Sequence, residues 1–207
     1  MKRITSFLAI LFISGTIFGQ FDFGPQIGYT ASNLVFDRSE IENSLKSNLL
    51  LGVFFRFGKK VYFQPEVNWL TQGSLIKYPS LSDPTPVEQK ITLNTIQIPL
   101  SVGWKFVNFK AVNIRIMGGF TANYIMNTVI DTKNGDPGDY LTPDDFSNMQ
   151  WQWQLGLGVD IWMFAIDVKY FGGINTIMEK DIQVDKENYS VSSKSNLFEV
   201  TLGWKIF

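Results

Sequence analysis

From residue 21 onward, apolar residues recur at every second position, segment after segment, and this period is that of β-strands with unlike faces. The clearest segment sets Met149, Trp151, Trp153, Leu155, Leu157 and Val159 against Gln150, Gln152, Gln154, Gly156, Gly158 and Asp160. No helix sorts residues so completely, because its period is 3.6. The last segment opposes Phe198, Val200, Leu202, Trp204 and Ile206 to Glu199, Thr201, Gly203 and Lys205, and its partner opposes Phe164, Ile166, Val168 and Tyr170 to Ala165, Asp167 and Lys169. A further segment alternates from Val112 to Tyr124, and four more lie at about 21–32, 47–57, 61–72 and 91–106, giving eight predicted strands.

The connections alternate in length. Gly58-Lys59-Lys60, about 107–110 and about 160–163 are tight turns, whereas 33–46, 73–90, 127–148 and 173–194 are long and rich in Ser, Asn, Asp, Pro and Gly. Short turns at one end and long loops at the other are the pattern of an outer-membrane barrel. The predicted fold is therefore all-β: an eight-stranded antiparallel up-and-down transmembrane β-barrel over residues 21–207. Residues 1–20 read as a signal peptide, with a basic Met1-Lys2-Arg3 start, an apolar stretch from Phe7 to Ile13 and a break at Ser14 to Gly19.

Alternation alone does not say whether the apolar face points into the barrel or out of it. Inward, the chain would be a soluble exported barrel holding an apolar ligand, as lipocalins do. Two features favour outward. The polar face carries Asp22, Arg56, Glu66, Lys105, Arg115, Asp167, Lys169 and Glu199, four charges of each sign. Such a set can pair inside a narrow lumen, where a lone ion is costly. Trp69, Trp104, Trp151, Trp153 and Trp204 fall on apolar faces near strand ends, where indole rings favour the lipid–water interface. Pro65 and Pro99 lie inside strands and lack a ladder donor, so irregular pairing is expected around both.

Composition removes several functions. The chain contains no Cys and no His, which excludes disulfides, thiolate chemistry, imidazole metal sites and a lipid-modified N-terminal cysteine. With 18 basic and 19 acidic residues the net charge of −1 offers no footprint for nucleic acid. The absence of His also takes away the side chain that titrates near neutrality, so no catalytic residues, no cofactor and no enzymatic activity are expected. The acidic stretch from Asp131 through Asp136 and Asp139 to Asp145 could offer oxygen ligands to calcium, but its spacing is not that of an EF-hand and it reads first as a solvated loop. An eight-stranded interior is only wide enough for its own side chains, so the eight charges are expected to be structural and a narrow pore is the weaker reading.

Taken together, Phe23-Gly24-Pro25-Gln26-Ile27-Gly28, Phe63-Gln64-Pro65-Glu66-Val67, Ile96-Gln97-Ile98-Pro99-Leu100, Met117-Gly118-Gly119-Phe120-Thr121-Ala122-Asn123-Tyr124 and Leu155-Gly156-Leu157-Gly158-Val159-Asp160 resemble the PorT-like outer-membrane β-barrel family. The resemblance implies a small Gram-negative outer-membrane barrel with outer-membrane lipid around it. For the founding member it implies a role with the gliding and protein-secretion apparatus, so other envelope or secretion proteins are candidate partners. Phe207 at the end of the last strand resembles the signal read by the outer-membrane assembly machinery, although it falls on the opposite face to Trp204 and Ile206. The expected role is structural, adhesive or in envelope assembly.

Overall fold

Residues with alternating faces form long strands that satisfy their backbone groups only by pairing, and here the pairing runs full circle. The computed structural model describes residues 21–36, 42–78, 87–109, 111–133, 147–176, 178–184 and 187–206. Among them are β1 (Phe21–Phe36), β2 (Glu42–Phe57), β3 (Val61–Tyr78), β4 (Val87–Asn108) and β5 (Val112–Lys133). They are followed by β6 (Met149–Ile161), β7 (Phe164–Gly173), β8 (Met178–Val184) and β9 (Glu187–Trp204). Strands β1 to β7 pair antiparallel in chain order, β9 pairs with both β7 and β8, and β1 pairs with β9 to close the wall.

The barrel has eight staves, because β7 and β8 share one. Along β9, Leu197 pairs with Phe171 of β7 and Ser193 with Met178 of β8, so the stave carries three extra residues at the break. Asn175 fills that break: the Trp151 amide donates to its Oδ1 at 2.6 Å and its Nδ2 donates to the Met149 carbonyl at 3.1 Å. Followed across the wall, the register leads from Phe21 through Phe57, Phe63, Val102, Gly118, Leu155, Tyr170 and Phe198 to Ala31, ten residues further along β1. That stagger goes with strands tilted by roughly 35–45°.

Several expected loops are strand. β3 continues to Tyr78, β4 starts at Val87, β5 reaches Lys133 and β9 starts at Glu187. A tilted strand needs about 9–11 residues to cross a bilayer. β7 has 10 residues, whereas β4 and β5 have 22 each and project well beyond the membrane. The outer end of β5 is exposed or half-buried at every position from 126 to 133, and such two-sided, polar composition looks like a loop in the pattern.

Around the prolines, ladder pairs are missing while the register is unchanged. β2–β3 pairing lapses between Phe54↔Glu66 and Phe57↔Phe63, beside Pro65, and β3–β4 pairing lapses between Pro65↔Leu100 and Asn68↔Gln97, beside Pro99. On its other side Pro99 pairs with Thr121 in continuous register. The register shifts lie elsewhere, at Leu45/Leu50, Asn94/Thr95 and Lys105/Val107.

The apolar face points outward. Trp151, Leu155 and Leu202 are 47%, 56% and 45% exposed, while Arg115 and Glu66 are 0% and 1% exposed. An inward apolar face, and with it the soluble ligand-holding barrel, is ruled out. Aromatic side chains gather towards both ends of this outer surface. Phe21, Trp104, Phe164 and Trp204 lie near the tight turns; Tyr29, Trp69, Tyr124 and Trp151 lie towards the other end, with aliphatic residues such as Leu157, Val168 and Leu100 between them. The proposed signal segment 1–20, Phe207 and the acidic residues Asp136, Asp139, Asp144 and Asp145 lie outside the described residues. Asp131 is an exposed residue of β5 opposite Lys90.

Candidate functional site

Among the described side chains of the wall, alternate residues point into the lumen and build layers across it. Near the turn end, Asp160 of β6 is the hub. Arg56 Nη1 donates to both of its carboxylate oxygens at 3.0 and 3.2 Å, and Arg115 Nη2 lies 2.9 Å from Oδ1. Arg115 Nη2 also reaches Asp167 at 2.7 Å; Arg56 lies 3.6 Å from Asp22, and Lys105 lies 4.0 Å from Asp22. Lys205 approaches Asp160 at 3.9 Å. The Tyr62 ring sits among three of these cations, with Arg56 Cζ at 5.1 Å and Arg115 Cζ and Lys105 Nζ at 5.9 Å from its centroid. Such contacts add cation–π attraction where water is excluded. Gly158 leaves room for this layer, since a Cβ there would collide with Asp167 Oδ1 and stand 2.6 Å from Arg115 Cζ.

Midway up the lumen the layer is smaller. Lys169 Nζ donates to both Glu66 oxygens at 2.6 Å and lies 3.4 Å from Glu199 Oε1. Glu66 further accepts from Gln26 Nε2 and Gln64 Nε2 at 2.8 Å each and from Asn68 Nδ2 at 3.3 Å. Four donors around one carboxylate replace the hydration it lost on burial. Gln64 joins the two layers, because its Oε1 accepts from Arg56 Nε at 2.7 Å. Above them, Leu50, Leu70, Phe171 and Leu197 point inward and are fully buried, and beyond these Gln72 Nε2 donates to Thr95 Oγ1 at 3.1 Å and Asn123 Nδ2 to Gln152 Oε1 at 2.8 Å.

All eight residues singled out from the sequence are buried in this lumen, and each lies within 4.0 Å of an opposite charge. They fall into two groups: Asp22, Arg56, Lys105, Arg115 and Asp167 at the turn end, and Glu66, Lys169 and Glu199 in the middle. The eight did not include Tyr62, nor Asp160 and Lys205, although the pattern had put the last two on the polar faces of their strands. Asp160 sits on the polar parity of β6 but was assigned to the turn, and it stays in the strand to face the lumen. With Asp160 and Lys205 included, the lumen holds five charges of each sign among the described residues.

An exposed crevice of about 520 Å³ lies on the projecting part of β3, β4 and β5, lined by Leu75, Glu88, Lys90, Ile130, Asp131 and Lys133. Its charges alternate across the strands, Glu88 opposite Lys133 and Lys90 opposite Asp131.

A closed antiparallel cylinder with an apolar, aromatic-rimmed outside and an ion-paired inside is the architecture of a membrane-embedded β-barrel. The family model of the outer membrane protein beta-barrel domain matches residues 14–179, and the chain belongs to that family. It is an outer-membrane protein of the bacterial envelope, surrounded by membrane lipid. The outer membrane protein OprG from Pseudomonas aeruginosa has a similar fold, with a TM-score of 0.55 at 12% identity over 90% of this chain and 95% of that one. Ail, the attachment invasion locus protein of Yersinia pestis, gives 0.48 at 11% identity, covering 90% and 99% of the two chains. Neisserial surface protein A gives 0.46 at 13% identity, covering 89% and 97%. No curated protein matches the sequence.

Proposed function

We propose that the protein is a non-catalytic barrel whose lumen is a brace, and whose specific role belongs to the strand extensions and loops beyond the membrane. The observation that carries this reading is the lumenal network: the inward charges are spent on one another at 2.6–4.0 Å, and inward leucines and phenylalanines lie above them. A passage for ions needs water along its axis, and an eight-stranded barrel has little width to spare. The absence of His from the chain supports the non-catalytic reading. β4 and β5, at twice the length a bilayer requires, supply surface for an adhesive or assembly partner. The segments that resemble the PorT-like family make a secretion-associated partner the first to test. In the same proposal, residues 1–20 are a signal peptide, residues 21–207 are the barrel domain, and assembly machinery receives the chain through its C-terminal strand.

Two measurements test this. Single-channel recording of the refolded protein in planar bilayers is expected to give no conductance steps; stepwise currents would replace the brace with a pore. Deletion of the gene is expected to impair secretion, motility or envelope integrity without loss of any hydrolytic activity.

A further inference from the structure

The tight turns at one end of the barrel are chemically unlike. The β2–β3 turn is Gly58-Lys59-Lys60, with Gly58 at φ 119°, a conformation glycine adopts freely. Diametrically across the wall, the β6–β7 turn is Ile161-Trp162-Met163-Phe164, and Trp162 holds φ 56°. The left-handed region is unfavourable for a bulky side chain and is filled by Gly, Asn or Asp where only a turn is wanted. Trp162 gains little protein packing in return, since it is 76% exposed, and Met163 beside it is 44% exposed. Neither turn propensity nor barrel packing accounts for this residue.

The neighbouring β4–β5 turn, Phe109-Lys110-Ala111, adds one exposed aromatic side chain. Phe109 is 71% exposed, and the two turns are tied together by the Trp162 amide, which donates to the Ala111 carbonyl at 2.9 Å. The Met163 carbonyl accepts from the Lys205 amide at 2.7 Å, which fixes the turn on the other side next to exposed Ile206. This apolar rim is continuous with the lipid-facing surface below it at Trp104, Phe164 and Trp204. On the β2–β3 side the apolar surface stops at two lysines.

We infer that the β4–β5 and β6–β7 turns form a lipid anchor: Trp162, Met163 and Phe109 enter the headgroup–acyl boundary of the adjoining phospholipid leaflet. The barrel therefore seats tilted, with this side deeper and Lys59 and Lys60 level with the phosphates opposite. Indole and thioether side chains gain from that boundary what the strained backbone loses, and uneven apolar height across a barrel is accommodated by tilt. The inference uses the outer-membrane placement and is independent of whether the lumen conducts.

Because the chain has no Cys, single nitroxide labels can be placed at Met163→Cys and Lys59→Cys without background. In phosphatidylethanolamine–phosphatidylglycerol vesicles, the label at 163 is expected to relax readily with oxygen and poorly with a water-soluble nickel chelate, and the label at 59 the reverse. Equal aqueous accessibility at both would overturn the anchor and mark the rim as a face for a protein partner. Trp162→Gly separates strain from anchoring. In detergent, relief of the left-handed tryptophan is expected to leave the thermal midpoint unchanged or raised; in the vesicles the same variant is expected to unfold several-fold more readily in urea. A gain of equal size in both media would show that Trp162 has no business with lipid.

Discussion

Among the described residues, Lys169 is the cation of the middle layer, buried with the two carboxylates of Glu66 and Glu199. Removing one member of a buried ion pair leaves its partner unpaired and costs about 3–5 kcal/mol, whereas replacing all members by neutral groups of similar shape costs far less. Lys169→Met is therefore expected to lower unfolding stability in vesicles by about that amount, and combining it with Glu66→Gln and Glu199→Gln is expected to recover most of the loss. Urea titration followed by tryptophan fluorescence measures both; a single variant as stable as the parent would show that the pair is not a brace. At this scale the sequence was informative wherever parity alone settles direction. Arg115 stands between Asn113 and Met117, and Glu199 between Leu197 and Thr201, on the face opposite the apolar one, and Arg56 follows Gly52 and Phe54 on the inward parity of β2. Tyr62 was hidden because an aromatic residue on the inward parity looks like belt, whereas Lys205 stood on the polar face of the last segment but was not among the eight charges chosen.

At the scale of the strand, burial and pattern coincide over the membrane-crossing stretches and part company outside them. β6 alternates strictly from exposed Met149 to exposed Ile161, and its outward row is the lipid contact. Leu157, midway between Trp153 and Ile161 and 57% exposed, lies in the middle of that belt, whereas Val61, 62% exposed, is at the turn end. Leu157→Arg is expected to destabilise the barrel in vesicles by about 2–4 kcal/mol and Val61→Arg by about 0–1 kcal/mol, with equilibrium unfolding in urea as the measurement. Equal penalties would mean that the aliphatic band is not the hydrocarbon zone. The outer ends of β3 (73–78), β4 (87–90) and β5 (127–133) were read as loops because residues such as Ser74, Lys77, Gln89, Asn127 and Asp131 break the period of two. Their strand character comes from pairing, as in Glu88↔Lys133 and Lys90↔Asp131.

The closed sheet as a whole explains why one register serves all staves. Phe21 leads round the wall to Ala31, and β1–β9 pairing is continuous from Gln26↔Gly203 to Phe36↔Ser193, so no membrane-level strand edge is left between the first and last strands. In lipid an open edge has nothing to bond to, which makes closure a condition of insertion. The folded protein is accordingly expected to resist dodecyl sulfate at room temperature and to migrate differently before and after boiling on a gel. Identical mobility in the two states would contradict a closed wall.

The order of apolar and polar residues determined by itself that the chain would be strands, that the strands would have one greasy and one polar face, and that short turns would alternate with long connections. Those properties are local, since side-chain direction in an extended chain follows from position alone. Which charges would meet was decided only when the cylinder closed. Arg56 finds Asp160 across 104 residues of chain, and Lys169 finds Glu66 across 103. Contacts of that kind depend on the stagger and curvature of the whole sheet, which no single segment specifies. At the rim, β5–β6 pairing ties the Trp162 turn to the β4–β5 turn through the Trp162 amide and the Ala111 carbonyl, and the cylinder leaves Lys59 and Lys60 on the far side.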